Sequence, residues 1–332
     1  MNNNVLITGG AGFIGLHLAK RLLDQGYQVQ LVDNFARGVK DKDLDSVLNR
    51  HNISITDISV LDENSVLGLG DEYEIIFHLA AIIGVDHVMK RPYMVLYDNL
   101  RMLGNMISLA KRQNNLLRFL FASTSEVYAG TLQYFDLPLP TPEDIPLTIA
   151  DLSHPRTSYM LSKICGEYMC KHAGIPYTIF RPHNIYGPRM GMSHVIPELF
   201  RKASDISQDS DIEVYSVDHR RTFCYIEDAI EELVRMVESE QCINQTLNLG
   251  NQSPEIEIGQ LAKIILKIMG KKNLRIKALP GSPGSPVRRC PDMAKANRVI
   301  GYEAKIDIEE GIAKTYSWYV ENIFEGHGVG AK

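Results

Sequence analysis

The chain has 332 residues, of which 45% are hydrophobic and 23% charged, enough for one large or two moderate domains with a substantial core. A net charge of −5 gives no reason to expect nucleic-acid or anionic-membrane binding, and no apolar run is long enough to span a bilayer. The N-terminus lacks a signal-peptide pattern, and the five cysteines have no metal-ligand spacing, so we expect a cytoplasmic protein with reduced thiols and no metal.

The first predicted element is a buried strand over residues 5–7, which leads into the glycine-rich run 8–15. Gly9, Gly12 and Gly15 have GxxGxxG spacing, and a helical pattern follows over 16–23. Glycines permit a tight turn and a close approach of the backbone to a pyrophosphate, and the helix N-terminus offers free N–H groups. This segment therefore predicts a dinucleotide-binding turn.

A second predicted strand, residues 28–32, ends at Asp33, which lies 33 − 15 = 18 residues beyond Gly15. An acid at this distance holds the hydroxyls of the adenosine ribose in dinucleotide-binding folds. A carboxylate there repels a 2′-phosphate, so the pattern favours NAD over NADP.

Further strands are predicted at residues 53–58, 74–80, 116–122 and 176–181, alternating with helical segments. This alternation predicts an α/β fold with a doubly wound parallel sheet, whose ligands bind beyond the carboxyl ends of the strands. The candidate residues Asp57, Ala80, Thr124 and Arg181 all fall at such ends.

The next predicted elements carry the chemistry. Ser123-Thr124-Ser125-Glu126-Val127-Tyr128 follows the fifth strand, and Tyr159 precedes Lys163 by four residues on a predicted helix. That spacing puts both side chains on one helix face, where the ammonium is expected to lower the pKa of the phenol and make it a general base. A hydroxyl of the Ser-Thr-Ser run can share the substrate proton, and Glu126 adds a carboxylate.

Beyond residue 181 the alternation weakens, and residues 279–286 form an irregular Pro/Gly/Ser loop. A helix over 226–238 and a strand over 246–249 are expected to return to the first domain. We therefore predict a Rossmann domain over 1–180, with returning segments at about 222–250. Residues 181–221 and 251–330 would form a smaller substrate-binding lid domain. Helices over 98–113 and 158–172 offer a candidate subunit interface, with packing on the sheet as the alternative.

Taken together, these motifs resemble the extended short-chain dehydrogenase/reductases that modify nucleotide sugars, over nearly the whole chain. The segments that carry the resemblance are residues 8–15, 33, 57–58, 78–81, 123–128, 159–163, 181–189, 220–223, 248–251 and 288–292.

The resemblance implies a nucleotide-diphosphate sugar as substrate, tightly bound NAD, a transient 4-keto sugar and a homodimer. It implies catalytic roles for Thr124, Glu126, Tyr159 and Lys163, and substrate contacts from Ser125, Asn184, Arg189, Arg221 and Arg289. The cofactor contacts that it implies are Gly9, Gly12, Phe13, Ile14, Gly15, Asp33, Asn34, Asp57, Ile58, Leu79, Ala80, Ala81, Asn99, Tyr159 and Lys163.

Glu126 narrows the reaction within the family. Relatives that only epimerise at C4 usually carry a small or hydroxyl residue there, whereas 4,6-dehydratases and UDP-glucuronate decarboxylases carry a carboxylate. Ser125 stands where many dehydratases have Asp, and Arg289 matches an arginine that decarboxylases bring near the substrate carboxylate. UDP-glucuronate decarboxylation is therefore the first hypothesis. The alternatives are dehydration of a UDP- or GDP-hexose, epimerisation, and a non-catalytic NAD-binding sensor.

Overall fold

The structure, a computed structural model, describes residues 3–149, 151–206, 210–281 and 286–324. Its strands are β1 (Asn4–Thr8), β2 (Gln28–Asp33), β3 (Ile53–Asp57), β4 (Ile75–His78), β5 (Arg118–Ala122), β6 (Tyr177–Pro182), β7 (Ile185–Tyr186), β8 (Asp211–Tyr215), β9 (Arg220–Arg221), β10 (Cys224–Tyr225), β11 (Gln245–Leu249), β12 (Ile256–Glu257), β13 (Arg275–Leu279) and β14 (Arg288–Arg289).

The helices are α1 (Phe13–Asp24), α2 (Lys42–Leu48), α3 (Glu63–Leu67), α4 (Val85–Lys90), α5 (Pro92–Lys111), α6 (Ala129–Tyr134), α7 (Thr157–His172), α8 (Val195–Asp205), α9 (Ile226–Glu238), α10 (Ile258–Ile268), α11 (Ala294–Ile300) and α12 (Ile308–Tyr319). Single 3₁₀ turns occupy Ser125–Tyr128 and Glu240–Cys242, and a π turn occupies Val320–Phe324.

The seven-stranded main sheet has the order β11-β6-β5-β4-β1-β2-β3, and every pair in it is parallel. The predicted doubly wound parallel sheet is therefore confirmed, including the predicted return of β11. The strand order reverses between β1 and β4, which is where ligands bind in this architecture.

The two faces of the sheet bury alternate residues of each strand. Val5 and Ile7 of β1 belong to one hydrophobic cluster, whereas Leu6 between them belongs to a second cluster on the opposite face. This period-two alternation fixes the register, because a slip of one residue would exchange the two faces.

Smaller sheets form the part of the structure beyond β6. They pair β7 with β10, β8 with β13, and β9 with β12 and β14. Apolar residues of this region, including Ile212 and Phe200, lie in the same cluster as Val5 and Ile7 of the main sheet. The described part of the 279–286 loop is residues 279–281 and 286, and the rest of that prediction lies outside the described residues. In the described ranges, no helix combines the length and apolarity that crossing a bilayer requires.

His78, the last residue of β4, makes the fold sensitive to acid. It is 2% exposed, and its Nδ1 lies 2.9 Å from the Thr8 hydroxyl. Burial lowers the pKa of His78 to about 3. An unfolded histidine titrates near pH 6.5, so the unfolded state gains a proton that the folded state does not bind. The stability linked to His78 is complete above pH 6.5 and is lost as the pH falls towards 3.

We predict that His78→Phe flattens the acid dependence of stability. Urea unfolding measures the free energy of unfolding at pH 6.5 and at pH 4.5. Between these pH values the variant should lose about 2 kcal/mol less of it than the parent loses. His51→Gln, at an exposed histidine, is the control and should follow the parent. Parallel curves for His78→Phe and the parent would contradict this assignment.

Candidate active site

The glycine turn between β1 and α1 is shaped for close approach of a phosphate. Gly9 has φ +70°, and a Cβ there would lie 3.0 Å from the Ala80 amide nitrogen. A Cβ at Gly15 would overlap the Gly9 carbonyl oxygen and lie 2.8 Å from the Gly10 Cα. No side chain caps the N-terminus of α1, so its first-turn amides can donate to an anion. The turn therefore fits the pyrophosphate of a dinucleotide.

Asp33 closes one side of this turn. It is 9% exposed, and its two carboxylate oxygens accept hydrogen bonds from the amides of Ala11 (3.0 Å) and Phe35 (2.8 Å). Each oxygen keeps a second lone pair, so Asp33 can shape the turn and still accept from a ribose hydroxyl. The other predicted cofactor residues in this half lie around the same end of the sheet: half-buried Phe13, Ile14, Ile58, Leu79, Ala80 and Ala81, and exposed Asn34 and Asp57.

Arg189 is tied to the cofactor turn in this structure. Its guanidinium donates to the carbonyl oxygens of Ala11 (2.8 Å) and Val39 (2.8 Å), and forms an ion pair with Asp41 (2.7 Å). The side chain is 5% exposed and its donors are engaged by these contacts. Arg189 therefore fastens the glycine turn to the loop before α2, and its substrate contact stays a prediction.

Asn99 makes all of the hydrogen bonds described here within the protein, and its cofactor contact stays a prediction. Its Oδ1 accepts from the Ile82 amide (2.8 Å), and its Nδ2 donates to the Ile82 carbonyl (3.1 Å) and the Ser162 hydroxyl (3.3 Å). Asn99 therefore holds the loop after β4 against α7, and its effect on a cofactor is through that loop.

The structure brings Thr124, Tyr159 and Lys163 together at the carboxyl edge of the sheet. Thr124 precedes the turn Ser125–Tyr128, and its hydroxyl accepts from the Glu126 amide (3.2 Å). Burial raises the pKa of Tyr159, the negative charge of Glu126 raises it further, and a hydrogen bond with Thr124 lowers it. Thr124 is therefore placed to pass a proton to or from the phenol.

Burial keeps the pKa of Tyr159 above its usual value in this structure, although Lys163 lies close to it. The Lys163 ammonium donates to the Ala122 carbonyl (2.7 Å) and lies 4.8 Å from the centre of the Phe121 ring and 5.8 Å from that of Tyr159. Burial lowers the pKa of Lys163 to about 8. That Lys163 makes Tyr159 a general base stays a prediction.

Glu126 forms an ion pair with Arg289, at 2.9 Å between Oε1 and Nη1. Arg289 comes from β14, and its Nη1 also lies 3.4 Å from the Ser125 hydroxyl. The Arg289 side chain is 13% exposed, and its buried Nε has no hydrogen-bond partner. A buried donor without a partner is costly, so the Arg289 guanidinium keeps hydrogen-bonding capacity that this structure does not use. The charge of Arg289 lowers the pKa of Glu126.

Arg221 lies beside Arg289 because β9 and β14 are parallel, with these two residues as register partners. Arg221 is 8% exposed and donates to the carbonyl oxygens of Val287 (3.1 Å) and Pro286 (2.6 Å). Burial and the charge of Arg289 lower the pKa of Arg221 to about 10. Asn184, with φ +41°, donates to the carbonyl of Thr222 (2.9 Å), the residue that follows β9, and so lies just beyond the carboxyl end of that strand.

Two arginines near the site were missed by the sequence analysis. The charge of Arg156 contributes to lowering the pKa of Glu126. The charge of Arg37 partly opposes the rise that burial causes in the pKa of Tyr159. Arg156 precedes Tyr159 by three residues, a helical spacing that could have identified it. Arg37 lies in the loop after β2, where no periodic pattern applies. Among the described residues, no group of three or more His, Cys, Asp or Glu side chains could hold a metal ion.

The fold and this site together define an enzyme of the extended short-chain dehydrogenase/reductase class. The family model described as "NAD dependent epimerase/dehydratase family" matches residues 5–250, and the chain belongs to this family. NAD is accordingly its cofactor, and the glycine turn and Asp33 fit it.

Several characterised proteins are similar over almost the whole chain. A UDP-N-acetyl-alpha-D-glucosaminuronate decarboxylase of Bacillus cytotoxicus is 33% identical, covering 97% of this chain and 99% of the relative. UDP-glucuronic acid decarboxylase 1 of Xenopus tropicalis is 32% identical, covering 95% of this chain and 72% of the relative. The solved UDP-glucose 4-epimerase of Thermotoga maritima is 26% identical, with a TM-score of 0.81 over 96% of this chain and 99% of its own.

We predict that Gly15→Ala removes bound NAD, because the added methyl group would overlap the Gly9 carbonyl and force the turn open. On denaturation, the purified variant should release much less NAD than the parent does. Gly68→Ala is the control, since a Cβ there meets only ordinary contacts of 3.4 Å. Retention of the full NAD content by Gly15→Ala would show that the turn can open without loss of the cofactor.

Proposed function

We propose that this protein is an NAD-dependent nucleotide-sugar decarboxylase whose substrate is a UDP-hexuronate, with UDP-glucuronate as the first choice. The observation that carries the proposal is the Glu126–Arg289 ion pair beside Tyr159, in which the buried Arg289 Nε has no hydrogen-bond partner. The C6 carboxylate of a hexuronate would pair with this guanidinium. The relatives named as UDP-sugar decarboxylases support the same choice.

The charge balance of the site suits a polyanionic substrate. Three arginines, Arg156, Arg221 and Arg289, act on the single carboxylate of Glu126. The surplus of positive charge is matched by a nucleotide diphosphate together with a sugar carboxylate, which guanidinium groups bind through paired hydrogen bonds. In this proposal Arg221 and Asn184 hold the diphosphate, and Arg289 holds the carboxylate.

The chain's own residues move one proton at C4. Thr124 and Tyr159 take the proton of the C4 hydroxyl, and Lys163 holds the site around them. NAD⁺, held at the glycine turn and Asp33, would supply the hydride acceptor at C4 and give that hydride back at the end. With C4 a ketone, the C5–C6 bond can break: CO₂ leaves, its bonding electrons form an enolate over C5, C4 and O4, and C5 then takes up a proton from water. Tyr159 gives its proton back to O4.

The lowered pKa of Glu126 discriminates between decarboxylation and dehydration. A 4,6-dehydratase needs a base that removes the C5 proton, and such a base works best with a pKa near the working pH. Pairing with Arg289 makes Glu126 a weaker base. Decarboxylation removes no C5 proton, so it does not require Glu126 to act as a base. The ionised Glu126 repels the substrate carboxylate, and this repulsion is relieved as neutral CO₂ forms.

The remaining alternatives use less of the site. Epimerisation at C4 requires the keto sugar to rotate within the site, and the Glu126–Arg289 pair has no role in that reaction. A non-catalytic NAD-binding sensor would not need Thr124, Tyr159 and Lys163 gathered at one edge.

We further propose that the protein is a cytoplasmic homodimer. All five cysteines are free thiols, which suits a reducing compartment. On the outer faces of α5 and α7, Tyr93, Tyr97 and Tyr168 are 72%, 49% and 65% exposed. Tyr93 and Tyr97 stack on each other, and exposed aromatic side chains on two adjacent helices favour a second copy of the chain as their cover.

The decarboxylase proposal predicts loss of CO₂ from UDP-glucuronate. The purified protein should convert it to a UDP-pentose, detected by mass spectrometry of the nucleotide sugar, and UDP-N-acetylglucosaminuronate should be tested in parallel. Loss of water from a UDP- or GDP-hexose instead would establish dehydration. An unchanged mass with an altered sugar configuration would establish epimerisation.

The same assay tests the residues. Arg289→Met should slow CO₂ release by about a hundredfold or more, because it removes the charge opposite the substrate carboxylate. Arg288→Met is the matched control, since the neighbouring Arg288 pairs with Glu255 on the other side of the strand and should leave the rate close to the parent. Tyr159→Phe should abolish turnover. Equal rates for Arg289→Met and the parent would rule out this role for Arg289.

The dimer proposal predicts twice the chain mass in light scattering coupled to gel filtration. The double variant Tyr97→Glu, Tyr168→Glu should elute as a monomer with an unchanged circular dichroism spectrum, because both changes put charge on exposed positions. Tyr134→Glu, at a tyrosine 52% exposed on α6, is the control and should stay dimeric. A parent protein with the mass of one chain would overturn the proposal.

A further inference from the structure

The turn that carries Glu126 has to keep a fixed position relative to Tyr159 and Lys163, yet it lies on a different element. Glu126 is in the single 3₁₀ turn Ser125–Tyr128 after β5, whereas Tyr159 and Lys163 are on α7. Misplacement of reacting groups by about 1 Å can cost a hundredfold in rate. Something must therefore set the distance between the turn and the helix.

The N-terminal side of the turn is tied to α7 by Glu167. The Ser123 hydroxyl donates to Glu167 Oε1 at 2.6 Å, and Ser123 is 4% exposed. Glu167 follows Lys163 by four residues, so it lies one helical turn further along the same face. This bond joins the residue before Thr124 directly to the helix of the Tyr–Lys pair.

The C-terminal side of the turn is tied to the same carboxylate through Arg181 of β6. Arg181 and Glu167 form a bidentate pair, at 2.9 Å from Nε and 2.7 Å from Nη2, with side chains 3% and 4% exposed. Arg181 Nη1 then donates to the Tyr128 hydroxyl at 2.8 Å, and the guanidinium stacks 4.8 Å from the centre of the Tyr128 ring. One buried ion pair therefore holds both ends of the turn.

The hydrogen-bonded chain continues to the segment that carries Arg289. The Tyr128 hydroxyl donates to Asn248 Oδ1 at 2.8 Å, and Asn248 Nδ2 donates to the Asp292 carbonyl at 3.0 Å. The Cys290 carbonyl, next to Arg289, accepts from the Thr141 amide at 2.8 Å, and Thr141 also accepts from Asn248. Both partners of the Glu126–Arg289 pair are thus connected to α7 by one chain of buried hydrogen bonds.

We propose that Glu167, Arg181, Tyr128 and Asn248 are positioning residues that fix the Glu126–Arg289 pair relative to Tyr159 and Lys163. The inference rests on the proposed decarboxylase function. A buried ion pair contributes little net stability compared with an apolar pair of similar volume, so its retention here is better explained by the geometry that it fixes. The network touches no substrate; it acts by keeping the carboxylate-removing groups in register with the redox groups.

The test separates the two parts of the reaction in the purified holoenzyme. Tyr128→Phe keeps the ring and its stacking but removes the hydroxyl that bridges the side chains of Arg181 and Asn248, leaving the separate connection through Glu143. On mixing with UDP-glucuronate, reduced nicotinamide should form at a rate within about threefold of the parent, with an unchanged KM, whereas CO₂ release should fall about tenfold to a hundredfold. Reduced nicotinamide should therefore accumulate in the variant. Tyr186→Phe is the control, because Tyr186 is equally buried at 1% but its hydroxyl donates to the Ile308 carbonyl, outside this network.

A double-mutant cycle shows whether Tyr128 acts through the Glu126–Arg289 pair. In the Glu126→Gln background, adding Tyr128→Phe should change CO₂ release by less than about threefold, because the group that it positions is already altered. Ser123→Ala removes the hydrogen bond at the other end of the turn. It should likewise slow CO₂ release while leaving the formation of reduced nicotinamide nearly unchanged. This second variant keeps the test available if Tyr128→Phe folds poorly.

The possible results distinguish this inference from the function on which it rests. If Tyr128→Phe slows hydride transfer and CO₂ release by the same factor, or changes neither, the positioning role is overturned while decarboxylation by the parent stands. If the parent releases no CO₂ from UDP-glucuronate or UDP-N-acetylglucosaminuronate, the proposed function fails and this inference fails with it.

Discussion

The bidentate ion pair between Glu167 and Arg181 lies where the parts of the site meet. Burying two charges costs several kcal/mol per ion unless hydrogen bonds satisfy them in full. Here Glu167 accepts from Ser123 and Arg181, and Arg181 donates also to Tyr128 and the Glu143 carbonyl. The pair is therefore tolerated only with β5, β6 and α7 in this one arrangement, and the carboxyl edge of the sheet takes its shape from that requirement.

Electrostatics then decides what this edge can do. Arg221 and Arg289 are register partners on parallel strands, and Glu126, which pairs with Arg289, also raises the pKa of Tyr159 through its charge. A carboxylate held ionised beside a guanidinium is poorly suited to removing a carbon-bound proton and well suited to orienting an arginine. Members of one fold family can thus reach different reactions with the same redox residues, because a neighbouring charge pair sets the second step.

Local patterns in the sequence predicted the parts of the structure that local physics determines. The glycine spacing, the strand ending at Asp33 and the helical spacing of Tyr159 and Lys163 each depend on neighbouring residues. The doubly wound parallel sheet followed from the alternation of strands and helices, and its strand order was seen only in the structure. Arg189 and Asn99 were different. Arg189 contacts Ala11, a residue far away in the sequence, and Asn99 contacts Ile82 and Ser162 on two other elements. Which partner a buried polar side chain finds depends on tertiary packing, which no spacing rule encodes. The raised pKa of Tyr159 has a similar origin, because its first cause is burial, which also depends on tertiary packing.

The short parallel pairing of β9 with β14 makes strand register a chemical variable. Each of these strands consists of two consecutive arginines, and in β14 only Arg289 faces Glu126, while Arg288 contacts Glu255. A shift of β14 by one residue in one direction would bring Arg288 to Glu126 and preserve the guanidinium. The opposite shift would bring the thiol of Cys290 there and remove the charge. A single-residue insertion or deletion near this strand could therefore change the chemistry of the site without altering any residue of the redox machinery, which offers a short evolutionary route between reactions on one scaffold.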